Sequence, residues 1–204
     1  AAPGEYRSSR LGFWHEYRMR RPREALANVD SLQRLQEVRS VEPEDWMNQQ
    51  WAPFPLDLWR GRAYLLLGDT ARARAAFARH IPRLEELRDE MPGLSLRSRF
   101  LALAYAGAGR REEAIREAEL AGRLALETGD LWAEIPNSDE NLLEVFVLAG
   151  DLDRAFDVLS RIQAANPQGL LVRLRTDPSL DPLRGDPRFD EVVRAASVPI
   201  PGAR

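Results

Sequence analysis

Few side chains in this sequence are of a type, or at a spacing, that could make or break bonds. Histidine occurs twice, as His15 and His80, each in a helix-like stretch with no companion placed to build a metal site or a serine triad. Cysteine is absent, which excludes disulfides, thiolate-held metals and a cysteine nucleophile together. All 29 Lys and Arg residues are arginine, so the chain has no Walker A lysine, no Schiff-base amine and no kinase phosphate-binding lysine. Asp177, Asp181 and Asp186 recur, but they alternate with prolines and lie near Arg184 and Arg188, which fits turn and helix-cap chemistry better than a cation site. Glu112 with Arg116 and Glu119 with Arg123 stand at i,i+4, the spacing of ion pairs that support an exposed helix. These residues predict no catalysis, no cofactor and no metal.

Binding chemistry is better represented. Arg18, Arg20, Arg21 and Arg23 cluster at a helix-like turn, where an anionic partner or plain solvation would suit them. Trp46, Trp51, Phe54 and Trp59 crowd a proline-rich stretch, either as an aromatic platform for a ligand or as apolar cover between helical units, the second being the more usual role. Over 204 residues the formal charge is -3, so the chain as a whole has no attraction for nucleic acid or an anionic membrane surface. No apolar run reaches the roughly 18 residues of a membrane span, so no membrane insertion is expected. The cytoplasm is the favoured compartment, with periplasm or exterior open if a parent chain carries an upstream membrane helix. Opening at Ala1, the sequence reads as a piece of a larger protein.

The elements that would carry these groups repeat. Leu101 to Leu126 reads as two helices joined by a turn at Gly109, and the pattern recurs. Gly68, Gly109 and Gly150 are 41 apart, as are Tyr64, Tyr105 and Phe146, and as are Ala73, Ala114 and Ala155. Glycine allows the left-handed turn, the aromatic fills the space between helices, and alanine permits close approach. Asp69 and Asp151 follow their glycines and are placed to cap the second helices. Ile81 to Met91 is expected to lengthen the second helix of its copy.

Around this array the pattern loosens. Residues 1–55 divide into a loose leader, a helix entered between Tyr6 and Leu11, a worn hairpin and the tryptophan-rich connector. In that hairpin Leu11, Trp14 and Tyr17 form the expected stripe, and Pro22 opens the second helix, with Ala25, Val29 and Leu32 on its face. Tyr17 to Ala25 is eight residues against nine in the better copies, so its turn is expected to be one residue short. Residues 56–168 hold three regular repeats, and 169–204 form a proline-punctuated cap with a final helix around Phe189, Val192 and Val193.

The aromatic, glycine and alanine spacing resembles a tetratricopeptide repeat, although the period exceeds the roughly 34 residues of that unit. The segments AYAGAGRREEAIREAELA, VFVLAGDLDRAFDVLSRI and LRTDPSLDPLRGDPRF look like the C-terminal repeat region of large bacterial signalling proteins. Those proteins carry a kinase, adenylate cyclase or winged-helix domain elsewhere. The resemblance implies an all-α, right-handed α-solenoid of helix hairpins with a C-terminal helical cap. It implies a non-catalytic scaffold that binds protein or peptide in a concave groove. Transferred by counting back from each glycine, the groove positions are Leu58, Arg62 and Leu65, then Arg99, Leu103 and Ala106, then Glu140, Glu144 and Val147. Small-molecule or short-peptide sensing, with Trp46, Trp51 and Trp59 as the platform, and self-association into a homo-oligomer are the alternatives. On this view valine at Gly109 should break a turn, whereas glutamate at Arg99 should leave folding intact.

Overall fold

The computed structural model describes residues 3–39, 56–90, 92–128 and 137–197, and among them the only regular structure is helical. The chain divides into two compact units, Ala1–His80 and Ile81–Arg204. The first holds α1 (Pro3–Arg18), α2 (Pro22–Arg39), α3 (Leu56–Leu66) and α4 (Thr70–Arg79). The second holds α5 (Ile81–Glu90), α6 (Ser95–Ala108), α7 (Arg111–Thr128), α8 (Asn137–Leu148), α9 (Leu152–Ala165) and α10 (Pro167–Thr176). A 3-10 turn (Pro178–Leu183) and α11 (Pro187–Ala196) complete it.

One turn builds the hairpins. In each glycine turn the glycine has positive φ, 75° at Gly68, 84° at Gly109 and 70° at Gly150. Its N–H donates three residues back, and the next N–H donates five back, as in Gly68 to Leu65 O at 2.9 Å and Asp69 to Tyr64 O at 2.9 Å. This pair of hydrogen bonds satisfies carbonyls left open at a helix end. Asp69 and Asp151 then accept from the backbone N–H of Arg72 and Arg154, as their positions predict.

The turn between α1 and α2 has the same bonds, Arg20 N–H to Tyr17 O at 3.1 Å and Arg21 N–H to Glu16 O at 2.8 Å. It is not one residue short. Arg20, with φ 57°, takes the glycine's place, and Glu16 takes the place of Tyr64. A left-handed arginine costs about 1 kcal/mol that glycine avoids. With the register set by Arg20, one buried pair recurs seven residues before and nine after the turn: Phe13 and Val29, Gly61 and Phe77, Ala102 and Ala118, Leu143 and Leu159. Large and small residues exchange sides. Gly61 is small because a Cβ there would lie 2.5 Å from the Phe77 ring.

The core of the first unit is aromatic. Phe13 stacks on Trp59 at 4.7 Å and on Tyr17 at 5.8 Å, with Trp14 edge-on to Phe13 and Ala25, Val29 and Leu32 closing from α2. The stripe of α1 is therefore Phe13 and Tyr17 flanked by Trp14, whereas Leu11 is 61% exposed. The misplaced register of the hairpin accounts for that difference. α1 also begins earlier than Tyr6, at Pro3, whose fixed φ suits the first turn of a helix.

In the second unit α6 lies in the middle, packed on α5, α7 and α8, and Arg97 to Gly107 are buried without a break. A helix with no solvent face is one enclosed on every side. α9 buries Ala155, Phe156, Val158, Leu159 and Ile162. The proline-rich ending packs as α10, the 3-10 turn and α11, with Leu170, Leu174, Leu180, Leu183 and Phe189 inside. Ile81 to Glu90 does not lengthen α4. It is a separate helix after a break at His80, because Pro82 has no N–H to donate to the Ala78 carbonyl and its ring crowds that carbonyl.

Candidate binding surface

The positions expected to line a groove lie on three helices, each of which opens a hairpin. Leu58, Arg62 and Leu65 are on α3 in the first unit; Arg99, Leu103 and Ala106 on α6, and Glu140, Glu144 and Val147 on α8, in the second. The side chain of Glu140, and Trp46 and Trp51 altogether, lie outside the described residues. Because α6 and α8 pack together, the second unit gathers Arg99, Leu103, Glu144 and Val147 on two adjoining helices.

Most of these positions are closed to solvent. Leu58 is fully buried, and Arg62, Arg99, Leu103 and Glu144 are 2%, 4%, 1% and 5% exposed; Leu65 is half-buried. The Arg62 guanidinium lies 5.4 Å from the Trp14 ring centroid. Arg99 donates to Ser95 Oγ at 2.8 Å, one helical turn earlier. Both arginines are thus built into the packing, and Arg99 is not a position where glutamate would pass unnoticed. Trp59, the described member of the tryptophan cluster, is stacked inside the first unit and serves as apolar cover.

The remaining chemistry is mostly ion pairs between neighbouring elements. Asp57 on α3 receives Arg60 at 3.4 Å and Arg79 at 2.8 Å, and His80 Nδ1 lies at 3.8 Å. Burial alone would raise the Asp57 carboxyl, but the neighbouring His80 imidazole and the two arginines outweigh it and hold it below its ordinary value. Arg60 also reaches Asp30 at 3.0 Å and Gln33 at 2.5 Å, tying α2 to α3. His15 is exposed, 4.0 Å from Glu16.

Besides Tyr105 of the repeat series, residues that the spacing does not single out hold α5 in place. Tyr105 Oη donates to Glu85 at 2.5 Å, Arg88 reaches Glu117 at 2.7 Å, and Arg97 donates to the Leu87 carbonyl. Burial lowers the Arg97 guanidinium from its ordinary value, with Glu90 opposing. The turns share a further device. Arg72, Arg110 and Arg154 lie over the aromatic that precedes their glycine, at 5.8, 4.4 and 5.8 Å. Each pairs with an acid three residues away, and the polarity is reversed in the middle copy, Arg110 with Glu113.

The three aspartates of the ending are each paired with arginine: Asp177 with Arg173, Asp181 with Arg184, Asp186 with Arg188, all at 2.8 Å. Asp177 also accepts from Ser179, and Asp186 from the Arg188 N–H, so cap chemistry is what they perform. Arg116 lies 4.0 Å from Glu112, whereas Glu119 pairs across to Arg154 at 3.0 Å, linking α7 to α9.

Comparison with protein-family models, curated proteins and solved structures finds no match. Fold and chemistry define an all-α protein of paired helices. Among the described residues no helix is long and apolar enough to cross a membrane.

Proposed function

We propose that the chain is a non-catalytic scaffold of tetratricopeptide type, a right-handed array of helix hairpins that binds a protein or peptide on the face of its first helices. On this proposal it serves a bacterial signalling or regulatory protein. The observation that carries it is the turn used four times with the same pair of backbone hydrogen bonds and an alanine five residues on. Repeated hairpins with interchangeable interiors are what a stacked array requires, and such arrays present continuous binding surface. With Trp59 enclosed in a ring stack, the aromatic-platform alternative lacks its described member.

Because Arg62 and Arg99 are enclosed, the test belongs on Leu65, the half-buried member of the α3 row. A photo-crosslinking amino acid at Leu65 should capture a protein from source-organism lysate, while the same group at the exposed Ala27 on α2 should not. Equal capture at both positions, or none at Leu65, overturns the proposal.

A further inference from the structure

α5 is fastened differently from its neighbours. Of its ten residues only Ile81 and Leu84 are buried, whereas α9 buries five of fourteen. What holds it on α6 and α7 is largely polar: Glu85 accepts from Tyr105 Oη at 2.5 Å, Arg88 reaches Glu117 at 2.7 Å, and the Leu87 carbonyl accepts from Arg97. A helix this short does not persist in water by itself, so its order depends on those contacts. It is interrupted at both ends, by the break before Pro82 and by the turn at Pro92 and Gly93, as a segment that opens as a unit would be. Beneath it, Arg97, Leu101 and Tyr105 stand four residues apart along one face of α6, 5%, 0% and 5% exposed. That face is opposite to Arg99 and Leu103. Burial disfavours the Arg97 charge, so returning it to water offsets part of the cost of lifting α5.

We propose that α5 is a removable cover, and that the face of α6 beneath it takes an amphipathic helix of a partner protein in its place. What α5 supplies defines the occupant: two apolar side chains, a carboxylate and a guanidinium at the spacing of Ile81, Leu84, Glu85 and Arg88, which is i, i+3, i+4 and i+7 on one helix. The carboxylate meets the Tyr105 phenol and the guanidinium meets Glu117, and a helix lacking them would leave both groups without those bonds in a closed site. The cover also regulates access, because the partner's apparent affinity falls with the fraction of molecules in which α5 is lifted. This surface is separate from the Arg99 and Leu103 side of α6 and does not rest on the function proposed above.

The absence of cysteine gives a clean probe of opening. Leu101→Cys and Leu159→Cys are the same substitution at two fully buried leucines, one on the face beneath α5 and one in α9. In the full chain a small disulfide reagent should label Leu101→Cys about a hundredfold faster than Leu159→Cys, because the first thiol needs only local opening. Low urea should hardly change the first rate and should raise the second steeply, since lifting one helix exposes little surface. Glu85→Gln with Arg88→Gln should speed labelling of Leu101→Cys about tenfold. A peptide of the α5 sequence at millimolar concentration should slow it again in that loosened variant, and the same peptide with both glutamines should not. Amide exchange in the cysteine-free parent checks the order without a mutation in the core, with α5 exchanging before α6 and α9. Equal labelling of the two cysteines, α5 amides as slow as those of α9, or a peptide without effect overturns the proposal. So does a concentration-dependent mass in the loosened variant, which would give the face to α5 of a second copy.

Discussion

Gly150 and Arg20 meet the same backbone demand with unequal ease. At Gly150 nothing lies within 4 Å of where a Cβ would stand, so a substitution there is opposed by φ alone. Gly150→Val should cost about 2 kcal/mol, read as a lower urea midpoint at unchanged slope, because a β-branched residue is poorest at positive φ. Arg99 presents the opposite case, burial without backbone constraint. Arg99→Glu should lose about 3 kcal/mol, since it removes the donor to Ser95 and places a carboxylate where a guanidinium is enclosed. The three glycine turns were legible because one residue type meets the left-handed requirement without strain. The Arg20 turn was not, because an arginine in that position leaves no mark, and the hairpin register slipped with it. Spacing placed Arg62 and Arg99 on the faces of their helices, but periodicity specifies which residues share a face and not whether that face is open.

Between elements, small polar contacts decide which helix ends are fixed. The separation of α4 from α5 was legible in Pro82, which breaks the helix that Ile81 to Met91 was expected to lengthen. Once separate, α5 depends on the contact of Glu85 with Tyr105. Burial first, then the Glu85 hydrogen bond and charge, push the Tyr105 phenol up to about 12, with Arg110 pulling the other way. Its stabilising contribution is therefore full below pH 10 and is lost as pH rises toward 12. Tyr105→Phe should cost about 1 kcal/mol near neutrality and flatten that alkaline loss in urea titrations. Asp177 has the opposite sign. Burial would raise its carboxyl, but Arg173 and the Ser179 hydrogen bonds hold it below the ordinary 3.8. The contribution is present above that value and is lost as pH falls through the lowered one. Asp177→Asn should cost about 3 kcal/mol at pH 6 and make stability less dependent on pH as it falls below the ordinary carboxylate value. An unchanged acid slope would mean that the aspartate caps the 3-10 turn without its charge.

At the scale of the whole chain, the division at His80 raises the question of how many cooperative transitions the molecule has. Two compact units, each with its own enclosed core, need not unfold together, and single-transition behaviour is an assumption to test. The sequence provides the probes. Trp14, Trp46, Trp51 and Trp59 fall before residue 81 and Trp132 after it, so indole fluorescence weights the first unit, while far-ultraviolet circular dichroism weights both. Gly61→Ala is the perturbation to pair with them. Its methyl group would press on a fully buried Phe77 ring that packs within the first unit, at a cost of about 2 kcal/mol. The fluorescence transition should move to lower urea by the full amount. The circular dichroism curve should broaden into two steps, its later step staying where the parent's lies. If both probes shift together and remain single, the two units unfold as one, and a packing defect around Phe77 is felt throughout the chain.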